Sequence, residues 1–332
     1  MKKIRSNVII LIIVSLLVLF FVLKDDFGEI ITILSSSNII YILIGIIVIL
    51  LGDLFKSISI TSLVKRNKKE YKLKEGFSLI LKTNFFNGVT PFCLGGQPFQ
   101  LYTLKKKNNI PYRDGISLLF QDFYSYQLSL VILSTIALFV NYIFNIVEFT
   151  NIVSNLVFLG YVINFAIVAF LMYLPFSKTN AIKIFKVIIN ILNKLRLIKD
   201  KEKSINVIND SIIHFKDEVK KINKEKKLII KCIFANMLRF IMIGLVTYIC
   251  FKSINSYVPI IDSIIISIII FTMSSLIPVP GGTGGMELGF ITLFSVYATS
   301  IEITATMLIW RFLTYYMLVI LGFFIVFIKN KE

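Results

Sequence analysis

The 332-residue sequence predicts an all-α polytopic membrane protein, with six full spans and two re-entrant hairpins arranged as an inverted repeat. The first observation behind this is composition. Hydrophobic residues make up 56%, charged residues only 17%, and mean hydropathy is +0.82. Apolar runs reach the roughly 20 residues that cross a ~30 Å hydrocarbon layer. The second is charge placement. Of 36 basic residues, 31 lie in clusters between apolar runs: near Lys2, from Lys56 to Lys82, from Lys105 to Arg113, from Lys178 to Lys227, and at Lys329 and Lys331. The third is a pair of proline- and glycine-rich segments at matching positions in the two halves of the chain.

The elements follow in order. Residues 8–23 come after a basic start and run straight into Lys24, Asp25 and Asp26 without a small-residue cleavage site, so they read as an uncleaved first helix. Five more spans are expected at 38–60, 115–140, 153–174, 228–251 and 303–328. The positive-inside rule assigns the basic clusters to the cytoplasm, and the loops holding Asp25, Asp26 and Glu29, then Glu148, then Asp262, to the outside. Six spans place both termini in the cytoplasm, and the expected location is the cell membrane.

Two segments do not fit as single spans. Residues 84–103 are apolar but have lysine clusters on both sides, so they must enter from the cytoplasm and return. Residues 260–300 contain SSLIPVPGGTGGMELGF, and the same reasoning makes them dip in from the outside. Pro91-x-x-x-Gly95-Gly96 and Pro280-x-x-x-Gly284-Gly285 lie 189 residues apart, and each proline is followed 31 residues later by an ionisable residue, Asp122 or Arg311. One integral membrane domain, 1–332, therefore holds repeat unit 38–140 and repeat unit 228–328. Between them, residues 176–227 form an insert. There Ile205, Ile208, Ile212, Phe215, Val219 and Ile222 recur at helical spacing, as do Ile182, Phe185, Ile189 and Leu192, which predicts two amphipathic cytoplasmic helices. His214 lies beside that stripe with no assigned role.

Inverted repeats with broken segments at corresponding positions point to a transporter-like site at their interface. Irregular backbone is tolerated at membrane depth only where protein or a watery cavity satisfies its polar groups. The candidate substrate-binding residues are Gly95, Gly96, Gly281, Gly282, Gly284 and Gly285, with Asp122, Glu287 and Arg311. Glycine permits positive φ and close approach of a ligand, and exposed N–H groups before a helix start attract anions. The plainer alternative is that these glycines only permit tight helix packing. An ionisable side chain at mid-membrane costs about 2.5–3.5 kcal/mol, so Asp122, Glu287 and Arg311 are expected to face the interior, either to bind or to pair with one another. Asp53, close to Lys56, reads equally as a boundary salt bridge. Lys231 reads as a snorkelling residue, and Arg239 is left open.

Several classes are excluded. Three cysteines without a CxxC spacing and a single histidine provide neither a metal site nor a disulfide framework. No Ser/His/Asp arrangement or phosphate loop is available, so no cofactor and no catalytic residue is expected. The excess of +17 belongs to membrane loops and not to a nucleic-acid partner.

The run PVPGGTGGMELGF, taken with TPFCLGGQPFQLYTLKKK and the Trp310-Arg311-Phe312 helix, resembles the membrane-domain family of lysylphosphatidylglycerol synthase/flippase proteins over nearly the whole chain. The resemblance implies a lipid-handling module. In two-domain members it carries aminoacylated phosphatidylglycerol to the outer leaflet and weakens binding of cationic antimicrobial peptides. The family's glycine turns fall on Gly95, Gly96, Gly281 and Gly282, its glutamate on Glu287 and its last-helix arginine on Arg311. The soluble lysyl-transfer domain of those members has no counterpart among these residues, so lysyltransferase activity is not expected from them alone. Three function classes remain open: translocation or binding of a phospholipid or polyprenyl-lipid headgroup, a membrane enzyme using Glu287 or Asp122 as acid or base, and a partner that presents lipid to a separate synthase. The expected partners are anionic or aminoacylated phospholipid, polyprenyl phosphate and such a synthase.

Overall fold

Apolar runs that satisfy their backbone groups internally become helices, and none of the described residues forms a strand. The computed structural model describes residues 27–90, 95–173, 225–274 and 279–327. The expected first helix 8–23, the insert before residue 225, and Pro91, Cys93 and Pro278 lie outside these residues.

The chain opens with α1 (Phe27–Ser36) and α2 (Ile39–Val64). Asn38 starts α2 by accepting the Ile40 N–H, and its own N–H reaches the Ser253 carbonyl at 2.7 Å. Two short helices follow, α3 (Leu73–Gly88) and α4 (Gly96–Asn108), then the long α5 (Tyr112–Phe144) and α6 (Asn151–Tyr173). The second half holds α7 (Lys226–Ser253), α8 (Ile260–Ser274), a tight turn at Pro280–Gly282, α9 (Gly285–Phe294) and α10 (Ser300–Arg311). A π-helical turn, Phe312–Tyr316, then leads into α11 (Met317–Phe327).

Five helical stretches are long and apolar enough to cross a membrane: α2, α5, α6, α7, and the continuous Ser300–Phe327. All five agree with expected spans to within a few residues. At about 1.5 Å per residue, α3, α4, α8 and α9 are each about 24 Å or shorter, too short to cross a ~30 Å layer upright. The second hairpin occupies the expected 260–300. The first begins earlier than 84, at Leu73, because Lys74 and Lys82 interrupt the apolar run without interrupting the helix.

The two halves repeat one element order: α2, α3, α4, α5 against α7, α8, α9 and α10–α11. Their packing repeats as well. The leading helices α2 and α7 pack on each other, α3 packs on α11, and α8 packs on α5. Each hairpin's first arm thus lies against the last helix of the other half. These crossings are close. A Cβ on Gly322 of α11 would lie 2.4 Å from the Leu81 carbonyl oxygen of α3, and one on Gly160 of α6 would lie 2.4 Å from the Thr272 carbonyl oxygen of α8. A large apolar core including Phe251, Phe290, Phe294 and Trp310 fills one end, and a second core around Leu63, Tyr71, Leu104 and Leu118 lies beneath the base of the first hairpin.

Candidate functional site

Charges within apolar helices must find partners, and the structure provides them in two buried clusters, one between α2, α5 and α7 and the other between α9 and α10. In the first, Lys56 of α2 donates to both carboxylate oxygens of Asp122 on α5, at 2.7 and 2.8 Å, and to the Asn236 side-chain oxygen on α7 at 3.2 Å. Ser59 donates to Asp122 at 3.1 Å, and Asn236 donates back to Ser59 at 3.3 Å. Asp53, one turn before Lys56, takes a different cation. Arg239 Nη2 of α7 lies 3.3 Å from its Oδ1, and the Asn84 side chain of α3 donates to Oδ2 at 2.6 Å. The expected salt bridge at Asp53 exists, but across helices and not with its neighbour Lys56. Lys231 is exposed, as a snorkelling residue would be.

In the second cluster, the last residue of α10, Arg311, meets Glu287 in the first turn of α9. Its Nε donates to Glu287 Oε1 at 2.6 Å. Nη2 lies 2.6 Å from the same oxygen but off the N–H direction, so it has no directed acceptor among the described residues. Both side chains are buried, Arg311 at 3% exposure and Glu287 at 5%. The pair pins the glycine turn between its two ends: Arg311 Nη1 donates to the Gly281 carbonyl at 3.0 Å, and the Gly284 N–H donates to Glu287 Oε2 at 2.6 Å. The turn demands glycine, since Gly281, Gly282 and Gly284 all have positive φ, at 68°, 64° and 94°.

The first hairpin uses its glycines differently. Gly95 has an ordinary right-handed φ of −70°. Its N–H donates to the Thr90 hydroxyl and that of Gly96 to the Asn87 side-chain oxygen, both at 2.9 Å. A Cβ on Gly96 would lie 2.4 Å from that same Asn87 oxygen. Close packing accounts for this pair, and Gly285 likewise begins α9 as a buried helical residue.

Tyr315 joins the two hairpin tips. Its hydroxyl donates to the Gly88 carbonyl at the end of α3 at 2.8 Å, while its ring lies where a Gly281 Cβ would be, 2.4 Å away. Arg311 Cζ sits 5.3 Å from the ring centroid. The π-helical turn that carries Tyr315 starts directly after Arg311, and such turns recur at functional sites. The 189-residue offset relating Asp122 to Arg311 also relates Tyr126 to Tyr315, and the Lys56 ammonium lies 5.5 Å from the Tyr126 centroid. Each half therefore places a cation over a tyrosine, four residues after its central ionisable group.

Of the residues singled out from sequence, Glu287, Arg311, Gly281 and Gly284 meet, with Gly282 and Gly285 in the same segment. Asp122 belongs to the Lys56 cluster, and Gly95 and Gly96 to the other tip. Sequence reasoning missed Lys56 as the Asp122 partner, and missed Asn236, Tyr126 and Tyr315. The two tyrosines were within reach of the 189-residue offset.

Residues 7–322 match the family described as the lysylphosphatidylglycerol synthase transmembrane region. A UPF0104 membrane protein of Methanocaldococcus jannaschii is 26% identical over 336 residues, covering 99% of this chain and 97% of that protein.

Proposed function

The chain belongs to the family of lysylphosphatidylglycerol synthase transmembrane regions, and from that premise we propose that it binds a lipid headgroup and moves it between leaflets. The observation that carries this reading is the buried Arg311–Glu287 pair, closed around a positive-φ glycine turn where two short-helix hairpins meet. A phosphate entering there competes with Glu287 for the guanidinium, and an ammonium group competes with Arg311 for the carboxylate. A headgroup with only one of these charges leaves one partner unmatched in a low-dielectric interior, which is costly. A headgroup carrying both, such as aminoacylated phosphatidylglycerol, exchanges with the pair as a unit. Polyprenyl phosphate is the alternative anionic substrate, displacing Glu287 from Arg311.

Cytoplasmic termini and entry of the two hairpins from opposite faces are parts of the same proposal, supported by the distribution of lysines and by the exchanged packing of the two halves. The test is reconstitution of the purified chain in liposomes containing a labelled headgroup. Translocation changes the headgroup's accessibility to a membrane-impermeant reagent and leaves its mass unchanged. A new lipid species would instead make the chain an enzyme. Neither change, with phospholipids and polyprenyl phosphates alike, would leave presentation of lipid to a separate synthase as the surviving role.

A further inference from the structure

A cleft of about 440 Å³ opens at the base of the first hairpin, away from the Arg311 pair, between the first turns of α3 and the last turns of α4. That volume lies within the roughly 300–1,000 Å³ of small-molecule sites. Lys74, Ser78 and Lys82 line one wall at successive four-residue intervals, which places them in one stripe along α3, and Thr103 and Lys107 of α4 line the other wall with the same interval. Exposure falls along the stripe, from the open Lys74 to the half-buried Ser78 and Lys82, so the cleft leads inward.

Three lysines, Lys74, Lys82 and Lys107, and one carboxylate, that of Glu75, line the cleft, so its lining is basic on balance. Glu75 Oε2 accepts the Lys72 N–H at 2.8 Å to start α3, and its Oε1 accepts from the Asn108 side chain at 3.5 Å to hold the end of α4. Tyr71 also borders the cleft. Its burial first, and Glu75 second, push the phenol up from its ordinary value, so it remains a neutral hydroxyl and adds no negative charge. Lysine ammonium groups with hydroxyl donors between them form a phosphate-binding set. Basic pockets between membrane helices near the cytoplasmic surface also suit anionic lipid headgroups.

We propose that this cleft is a second binding site, which takes a phosphate-bearing anion: the headgroup of an acidic phospholipid or a soluble phosphate compound. The site stands apart from the Arg311 pair and requires no translocation.

The test uses the purified full chain in neutral detergent, with three arms: phosphatidylglycerol, phosphatidylcholine, and inorganic phosphate with glycerol 3-phosphate. Retained lipid is counted by mass spectrometry and thermal protection is read by unfolding. The variant is the triple substitution Lys74→Gln, Lys82→Gln, Lys107→Gln. Two controls accompany it: the same three positions changed to Arg, and Lys69→Gln, Lys105→Gln, Lys226→Gln, which removes equal charge outside the cleft. A lipid site is expected to lose phosphatidylglycerol at least several-fold in the Gln triple only, with phosphatidylcholine unchanged and retention falling with salt. Protection by inorganic phosphate or glycerol 3-phosphate that vanishes in the Gln triple only would identify a soluble ligand at the same site. If neither binding nor protection differs between the two Gln triples, the proposal is overturned.

Discussion

Replacing one member of the Arg311–Glu287 pair tests both the site and its burial. Glu287→Gln removes the negative charge that faces Arg311 Nε and Nη2 at 2.6 Å, and leaves the guanidinium with neutral acceptors only, the new amide oxygen and the Gly281 carbonyl at 3.0 Å. A guanidinium does not shed its proton in proteins, so the charge persists. Arg311→Gln strands Glu287 with the Gly284 N–H. Removing one partner of a buried ion pair costs about 3–5 kcal/mol. Taking about 2 °C per kcal/mol for a chain of this size, each single variant should melt roughly 6–10 °C lower. In the double variant, two neutral amides can hydrogen-bond in the same space, so its loss should fall short of the summed single losses by roughly 0.5–3 kcal/mol. Thermal unfolding of the three variants in one detergent, beside headgroup translocation in liposomes, provides both readouts. Stability recovered in the double variant with translocation still absent is the expected pattern. Additive melting shifts would mean the pair does not act as a buried unit, and full translocation by either single variant would remove the pair from the site.

Three further outcomes are expected. Gly281→Ala should destabilise by about 1–3 kcal/mol, because it forces an L side chain into φ +68° and puts a methyl 2.4 Å from the Tyr315 ring, whereas Gly28→Ala, helical and with open space around it, should not lower the melting temperature. Lys56→Met should lower the melting temperature by stranding Asp122, at about 3–5 kcal/mol, and adding Asp122→Asn should restore part of the loss; no recovery would argue against the inter-helix pair. Single cysteines at Ser62 and Asn108 should label from the same side of the membrane and one at Ser256 from the other, and labelling of Ser62 and Asn108 from opposite sides would make the first hairpin a full span.

The helices were legible where one physical requirement dominates. Uninterrupted hydrophobicity over about 20 residues leaves little choice but a span, and α2, α5, α6, α7 and Ser300–Phe327 follow it. Legibility failed at the start of α3, where Lys74 and Lys82 read as loop charge. Both are helical there because lysine is a good helix former and α3 presents these side chains to the cleft while Ile80, Leu81 and Phe85 face the protein. The glycines were only half legible. Paired glycines mark a need for space or for positive φ, and the residue letters do not separate the two. At Gly95 and Gly96 the requirement is space beside Phe86, Asn87 and Thr83; at Gly282 and Gly284 it is the backbone angle, and at Gly281 it is both.

The ionic partners divide in the same way, by how far the chain must travel to bring them together. Arg311 and Glu287 are 24 residues apart, on consecutive helices joined by a short connection, so their meeting was a natural expectation from local geometry. Lys56 and Asp122 are separated by 66 residues, and Asn236 is 180 residues from Lys56. No periodicity within α2 or α5 selects those partners; the crossings of α2 with α5 and α7 do, and they follow from the packing of the two halves. Asp53 illustrates the consequence. By sequence its neighbour Lys56 is the nearest cation, yet two side chains one turn apart on a helix that packs on both α5 and α7 each find a partner on a facing helix, Arg239 for Asp53 and Asp122 for Lys56. Had Asp53 taken Lys56, the buried Asp122 would be left with uncompensated charge and the partly buried Arg239 would lose its carboxylate. The pairing is therefore a property of the assembled bundle, and the sequence could indicate only that each of these charges needed a partner.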